Sequence, residues 1–352
     1  MKFAFGAGGT GGHIIPAIAM ANELSALGHE CLFIGNKDSM EERLTTAAGY
    51  PFAEIKVQKL YRKFTLNNLM LPIYLAGSIA KSRKLVQDCD GVITTGGYVA
   101  GPVALAAISK KIPCFLHESN SYPGITTKYL AKKLTRIYIS FEDSRKYLPL
   151  NKLRNYGIPI VQKQEQREYC LADIGLQEGK RTLLITGGSQ GSLAINEAIA
   201  TIVNVLIKQD WQILWQCGSY SYQRFAQLFR DTPGVHVFDF SPDLARMMQK
   251  ADLAITRAGA MTIAELEAAK LPAILIPLPT AAENHQYYNA QAQKNKGIAE
   301  MIEQKELSPQ SLLAAISTVD TWFNSTAMNA IMDNNAAKNI IKDILSFYPR
   351  SK

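Results

Sequence analysis

The chain has 352 residues, of which 47% are hydrophobic, and this length favours two domains over a single core. No apolar run reaches the roughly 18–20 residues of a membrane span, and the five cysteines lack CxxC spacing, which predicts reduced thiols and no zinc site. The net charge of +8 suits nucleic acid, an anionic membrane or an anionic substrate, and it does not choose among them.

The chain predicts the same strand-turn-helix order several times. Residues 2–9, KFAFGAGG, form an apolar strand that enters a glycine turn, and a helical pattern over 14–28 follows. The segment 90–118 has a strand, a glycine turn, a small-residue helix, a proline and another strand. Both patterns return later, at 181–218 and 252–279. Helical crossovers between strands give parallel sheets, so we expect two α/β halves, each a doubly wound parallel sheet.

The domain boundaries are predicted from a polar stretch over 155–170 that contains a Gly-x-Pro break. We place the first domain at 1–157 and the second at 158–335, and a C-terminal helix of about 336–352 could pack back on the first. Ligands of open α/β sheets bind at the carboxyl ends of the strands. We therefore expect the first glycine turn of each half, after the strands that begin at residues 2 and 181, to face a cleft between the domains.

The first glycine turn suits a phosphate or a diphosphate. Bare N–H groups at a helix N-terminus attract anions, although such glycines can also serve only to pack a strand against a helix. Gly6, Gly8 and Gly11 fit G-x-G-x-x-G, but no acidic residue ends the second strand to bind a ribose, as a dinucleotide site requires. Neither turn ends in Gly-Lys-Ser/Thr, which excludes a P-loop.

Two residues beside the turns have both a structural and a chemical interpretation. His13 lies at a helix start, where the dipole favours neutral imidazole, so it is either a general base or a polar cap and phosphate ligand. Glu265 is predicted in the first turn of a helix, either as a favourable carboxylate there or as an acceptor for two ribose hydroxyls. The D-x-D of Asp88 and Asp90 precedes a strand, and we interpret it as a solvated turn without metal.

Six segments, in order along nearly the whole chain, resemble those of the MurG family of peptidoglycan N-acetylglucosaminyltransferases. They are GGTGGH (8–13), GGYVAGP (96–102), LHESN (116–120), GGSQG (187–191), RAGAMTIAEL (257–266) and HQYYNA (285–290). The resemblance implies a GT-B fold of two Rossmann-like domains. It also implies an inverting transfer of N-acetylglucosamine from UDP-GlcNAc to the 4-hydroxyl of the muramoyl sugar of lipid I, giving lipid II. No cofactor is implied, and the enzyme is expected peripherally on the cytoplasmic face of the inner membrane, with other cell-wall synthesis proteins as further expected partners.

The resemblance also implies roles for matching residues. Ser189 and Gln190 are expected at the diphosphate of the donor. Arg257 and the turn of Ala260, Met261 and Thr262 are expected near the diphosphate and uridine, and Glu265 at the ribose. Phe240 and Ser241 are expected at the uracil, and Gln286 and His285 at the donor sugar. Those expected at the sugars from the first half are Thr10, Gly11, Gly12, Tyr98 and Asn120, with His13 and Glu118 as alternative catalytic bases.

Two positions depart from the family pattern. The linker reads Gly157-Ile158-Pro159-Ile160-Val161, where the family usually has Gly-Asn-Pro-hydrophobic-Arg, so a donor-contacting arginine is missing. Lys163 could replace that arginine. His285 also stands where the family usually has glutamine.

The segment 59–84 mixes apolar residues such as Leu69, Leu71 and Leu75 with arginines and lysines. This pattern predicts either docking on an anionic membrane, with 128–136 extending the basic rim, or a core helix with a solvated basic face.

Four alternatives to the transferase differ in class. A UDP-GlcNAc 2-epimerase of the same fold needs no lipid acceptor and predicts no docking patch. A non-catalytic membrane adaptor needs only one of the two halves. A nicotinamide-dependent oxidoreductase is disfavoured by the missing ribose acid, and nucleic-acid binding by the absence of a recognition motif.

Overall fold

The computed structural model describes residues 1–58, 71–161, 169–322 and 335–349. Contacts between residues divide the chain into two units, Met1–Gln162 with Asn334–Lys352, and Lys163–Asp333. Leu69 and Lys163, both singled out from the sequence, lie outside the described residues.

The described part of the first unit contains a seven-stranded parallel sheet ordered β3-β2-β1-β4-β5-β6-β7. Its strands are β1 (Lys2–Gly6), β2 (Glu30–Gly35), β3 (Phe52–Glu54), β4 (Gly91–Thr94), β5 (Cys114–Glu118), β6 (Arg136–Ile139) and β7 (Leu153–Asn155). Its helices are α1 (Gly11–Ala26), α2 (Met40–Ala47), α3 (Leu71–Leu85), α4 (Gly97–Ser109) and α5 (Ile125–Leu130). Helices α3 and α5 both pack on α4.

The described part of the second unit contains a six-stranded parallel sheet ordered β10-β9-β8-β11-β12-β13. Its strands are β8 (Thr182–Thr186), β9 (Gln212–Gln216), β10 (Val235–Phe238), β11 (Leu253–Thr256), β12 (Ala273–Leu275) and β13 (Ala299–Met301). Its helices are α6 (Leu193–Lys208), α7 (Ser219–Leu228), α8 (Leu244–Met248), α9 (Ala260–Ala268), α10 (His285–Asn295) and α11 (Pro309–Trp322). The predicted pair of Rossmann-like parallel sheets is confirmed.

The repeat in the sequence corresponds to a repeated hydrogen bond between an aspartate side chain and a backbone N–H group. The Asp90 carboxylate accepts a hydrogen bond from the Lys2 N–H at 2.7 Å, and the Asp252 carboxylate accepts one from the Thr182 N–H at 2.7 Å. Asp90 therefore ties the start of β4 to the start of β1, and Asp252 ties the start of β11 to the start of β8. This pairing gives Asp90, the second acid of the D-x-D, a structural role.

The last helix, α12 (Ala336–Leu345), belongs to the first unit and packs on α1. Ile340, Ile341 and Ile344 are buried in the same cluster as the β1 side chains. The Asp343 carboxylate accepts from the Tyr138 hydroxyl at 2.8 Å and lies 3.3 Å from the Arg136 Nε. The end of the chain thus completes one face of the first sheet.

We expect Ile344→Ala to lower the free energy of unfolding by about 2–5 kcal/mol, because it removes a fully buried side chain from a packed face. Urea denaturation of the whole chain, followed by far-ultraviolet circular dichroism, measures the change. The exposed Lys338 on the same helix gives a matched control, and Lys338→Ala should stay within about 0.5 kcal/mol of wild type. Equal stability of the two variants would contradict the packing of α12 on this face.

Candidate functional site

Several of the described helices that follow strand ends begin without a side-chain cap, and α1, α4, α6 and α9 are among them. Their N-cap residues are Thr10, Gly96, Ser192 and Gly259, and none of these side chains bonds the first turn of its helix. By contrast, the Ser39 hydroxyl accepts from the Glu42 N–H in α2. Uncapped N–H groups at the positive end of a helix dipole are available to an anionic ligand.

The two glycine turns of the first unit lie against each other. A Cβ on Gly97 would overlap the carbonyl oxygen of Gly8, and a Cβ on Gly96 would lie 2.9 Å from the Cε1 atom of His13. Gly96 and Gly97 have φ values of +96° and +76°, which also favour glycine. These glycines bring the end of β4 against the start of α1.

His13 is the third residue of α1, because the helix begins at Gly11 and not at residue 14 as the sequence predicted. Its Nδ1 atom lies 2.8 Å from the carbonyl oxygen of Thr95. A carbonyl can only accept, so Nδ1 carries the proton of this hydrogen bond, and in the neutral ring the lone pair is on Nε2. The Thr95 hydroxyl donates in turn to the His13 carbonyl at 2.6 Å, which fixes the ring on its helix.

The earlier start of α1 moves Pro16 from the first turn of the predicted helix into the helix interior, where it has no N–H to offer the carbonyl of Gly12. The Ser119 hydroxyl lies 3.4 Å from that carbonyl and 3.3 Å from the Nδ1 atom of His117. The other ring nitrogen of His117 lies 3.1 Å from the carbonyl oxygen of Gly157, at the predicted linker. Burial lowers the pKa of His117 to about 4, so this link is neutral at physiological pH.

Glu118 organises the loop that follows β5. One carboxylate oxygen accepts from the Asn120 N–H at 3.0 Å and from its side-chain amide at 3.3 Å. The other accepts from the Gly124 N–H at 3.1 Å and from the Thr127 hydroxyl at 2.6 Å. Both oxygens are therefore engaged within the loop, and they hold Asn120 in place.

Tyr98 contacts a residue that the sequence did not single out. Its hydroxyl donates to the Glu41 carboxylate at 2.6 Å, and the Gly9 N–H donates to the other oxygen of that carboxylate at 3.4 Å. Glu41 is the second residue of α2, where an acidic residue is ordinarily explained as favourable at a helix N-terminus. The sequence alone therefore gave no signal of this contact.

In the second unit, Ser189 and Gln190 are exposed in the turn between β8 and α6. Gln216, at the end of β9, joins this turn to the segment expected at uracil. Its amide nitrogen donates to the Gly188 carbonyl at 3.3 Å, and its oxygen accepts from the Ser241 N–H at 3.1 Å. The neighbouring Phe240 is 55% exposed.

Arg257 is 8% exposed and its guanidinium bonds neutral acceptors. These are the carbonyls of Ile276 and Pro277 at 3.1 and 3.2 Å, the Ser192 hydroxyl at 2.6 Å and the Gln304 side-chain oxygen at 2.6 Å. Burial lowers the pKa of Arg257, but arginine stays protonated in proteins. A positive charge therefore lies at the N-cap of α6.

Helix α9 begins at Ala260, and the prediction that Glu265 lies in its first turn is wrong, since the first turn holds no acidic residue. The first turn is instead Ala260, Met261 and Thr262, the residues expected near the diphosphate and uridine. Glu265 is one turn further along, where a carboxylate gains little from the helix dipole. Burial raises the pKa of Glu265 to about 7.

The loop expected at the donor sugar has an unusual backbone. Glu283 and Asn284 have positive φ values of 54° and 56°, a conformation that costs most residues of order 1–3 kcal/mol. The Gln286 side-chain oxygen accepts from the Leu278 N–H at 3.0 Å, and the Nδ1 atom of His285 lies 2.7 Å from the Ala282 carbonyl. The side chains of Gln286 and His285 thus fix the backbone of the loop that follows β12.

Two family models match most of the chain. The Glycosyltransferase family 28 N-terminal domain matches residues 3–139, and the Glycosyltransferase family 28 C-terminal domain matches residues 182–345.

Individual relatives agree with the resemblance. The UDP-N-acetylglucosamine--N-acetylmuramyl-(pentapeptide) pyrophosphoryl-undecaprenol N-acetylglucosamine transferase of Flavobacterium psychrophilum is 36% identical, over 98% of this chain and 96% of the relative. The Bacillus subtilis protein of the same name is 34% identical, over 91% and 90%. The crystal structure of Acinetobacter baumannii MurG superposes with a TM-score of 0.78 and 26% identity, covering 98% of this chain and 99% of that one. These names do not favour the epimerase alternative, and the chain belongs to the MurG family of glycosyltransferases.

Proposed function

We propose that the protein transfers N-acetylglucosamine from UDP-GlcNAc to the 4-hydroxyl of the muramoyl sugar of lipid I, which gives lipid II for peptidoglycan synthesis. The observation that carries this proposal is the hydrogen bond between His13 Nδ1 and the Thr95 carbonyl. It fixes the tautomer of the neutral ring in which Nε2 carries the lone pair, and a general base for a sugar hydroxyl requires that form. The names of the relatives supply the donor and the acceptor.

The second unit supplies the groups for the leaving nucleotide. As the glycosidic bond breaks, negative charge grows on the diphosphate of UDP. The uncapped N-terminus of α6 and the buried charge of Arg257 behind it would stabilise that charge. Arg257 then acts through its field and through Ser192, because its guanidinium is already committed to protein acceptors.

The geometry favours His13 over Glu118 as the base. Four donors, from the loop after β5 and from the first turn of α5, already occupy the two oxygens of Glu118. To take a proton from a sugar hydroxyl, Glu118 would have to give up one of these hydrogen bonds. Glu118 would instead hold Asn120 toward the sugar.

We also propose that the first unit docks on an anionic membrane, at the inner face of the cell membrane where lipid I would be met. Helix α3 exposes Ile73 and Leu75 together with Lys81, and α5 exposes Ile125 and Tyr129. The Lys133 ammonium lies 5.6 Å from the Tyr129 ring centroid. Apolar side chains among lysines suit the interface of an anionic bilayer. Among the described residues, no helix is long and apolar enough to cross a membrane.

We expect His13→Asn to lower the turnover number by about 10²–10⁴-fold, because the amide can still donate to the Thr95 carbonyl but offers no basic nitrogen. Transfer of radiolabelled N-acetylglucosamine to a short-chain lipid I analogue measures turnover. The affinity for UDP-GlcNAc, measured by calorimetry, should stay within about twofold of wild type.

His29, which precedes β2 and is therefore at the opposite end of the strands, provides the control. His29→Asn should keep wild-type turnover. An active His13→Asn enzyme would make His13 a cap and require another base, and a wild-type enzyme that makes no labelled lipid product would refute the proposed reaction.

The affinity for UDP-GlcNAc should rise with pH through the pKa of Glu265, which is about 7. Below that pH one oxygen of the carboxyl carries a proton and donates, whereas above it both oxygens of the carboxylate accept from the two ribose hydroxyls. A simple proton competition predicts about tenfold tighter binding at about pH 8 than at about pH 6. Titration calorimetry at several pH values tests this, with Glu265→Gln as the variant whose affinity should vary much less. Parallel pH profiles for the two proteins would exclude Glu265 as the titrating group.

We expect Ile73→Gln combined with Leu75→Gln to weaken binding to anionic liposomes by about tenfold or more, since two apolar side chains no longer enter the bilayer interface. Co-sedimentation with vesicles of phosphatidylglycerol and phosphatidylcholine measures the change. Leu228 is similarly exposed in the second unit, and Leu228→Gln should bind like wild type. Unchanged binding by the folded double variant would refute docking through α3.

A further inference from the structure

Glu41 is a buried carboxylate in the first unit that the proposed mechanism does not use. Its side chain is 1% exposed, and in the described part of the chain no lysine or arginine pairs with it. Burying a charge without a counterion costs free energy unless several hydrogen bonds compensate. The surrounding chain is shaped for this group, since a Cβ on Gly35 would lie 2.7 Å from the Glu41 Cγ and one on Gly8 would lie 3.1 Å from its Oε1.

Three donors from three different segments converge on this carboxylate. Oε1 accepts from the Tyr98 hydroxyl at 2.6 Å and from the Asn36 N–H at 3.4 Å. Oε2 accepts from the Gly9 N–H at 3.4 Å. Gly9 is in the first glycine turn, and Tyr98 is in the first turn of α4, directly after the second glycine turn, so the Glu41 side chain joins both.

Asn36 extends this network outward. Its amide nitrogen donates to the Val57 carbonyl at 2.8 Å, and its side-chain oxygen accepts from the Val57 N–H at 2.7 Å. The Tyr98 hydroxyl donates its proton to Glu41. Burial, and then the hydrogen bond to Glu41, raise the pKa of Tyr98, which keeps the phenol protonated in this role.

We propose that Glu41 is a positioning residue for the transfer reaction, and that it fixes the Gly9 turn and the Tyr98 side chain relative to His13. This inference rests on the proposed function, because the family resemblance implies that Tyr98 and the glycine turn face the sugars of that reaction. The role requires an acceptor-only side chain. A glutamine has one acceptor oxygen, so its NH₂ group would face one of the donors that now bond the carboxylate.

The test is a double-mutant cycle on the full-length protein. Glu41→Gln, Tyr98→Phe and the combined variant are compared with wild type for turnover with the lipid I analogue and for UDP-GlcNAc affinity. We expect Glu41→Gln to lower turnover by about 10–100-fold, since small displacements of positioning groups have effects of that size. UDP-GlcNAc affinity should stay within about twofold, because the residues assigned to the nucleotide are in the second unit. The combined variant should be no slower than the slower single variant, as expected for groups that act together.

Glu54 on β3 is exposed, and Glu54→Gln should behave as wild type in every assay. All assays are run well below the melting temperature of each variant, and Glu41→Asp, which keeps an acceptor-only group, should retain more turnover than Glu41→Gln. Wild-type turnover by Glu41→Gln, or losses that multiply in the combined variant, would overturn the positioning role alone. A wild-type protein without transfer activity would overturn the proposed function, and the positioning role with it.

Discussion

Contact between bare backbones is the constraint on which the site depends. In the first unit, no side chain fits between the Gly97 Cα and the Gly8 carbonyl. In the second unit, the same is true between Gly191 and the carbonyl of Cys217. These contacts bring neighbouring strand ends together, and with them the N-termini of the following helices. The uncapped N–H groups, and the residues that flank them, are near one another because glycine allows the turns to touch.

The order of strands and helices could be predicted because residues close together in the sequence determine it. Apolar runs, glycine turns and small-residue helices recur at matched positions, and Asp90 and Asp252 make the same backbone contact in the two halves. The start of α1 was predicted three residues too late, since glycines are poor helix formers and only the tertiary contacts hold Gly11 and Gly12 in a helix. The start of α9 was also predicted too late, and for that reason Glu265 was expected in the first turn and lies one turn further along the helix.

The side-chain partners could not be predicted, because they are far apart in the sequence. Arg257 bonds Ser192 and Gln304, which are 65 and 47 residues away, and nothing in RAGAMTIAEL indicates either partner. The family resemblance identified Arg257 as important but suggested direct contact with the donor. Its actual acceptors give it a second function, which is to join the start of α6 to the backbone that follows β12. The binding roles carried over from the family stay predictions.

The two halves use chemically different side chains for a similar task, and the difference follows from their partners. Glu41 receives hydrogen bonds from Tyr98, Asn36 and Gly9, which are all donors, so a carboxylate satisfies them and an amide would not. Gln216 accepts from the Ser241 N–H and donates to the Gly188 carbonyl, so an amide satisfies both and a carboxylate would repel the carbonyl. Each residue joins two loops of its own unit. The choice between acid and amide is therefore dictated by the donors and acceptors that the backbone presents, and these are fixed only once the fold has formed.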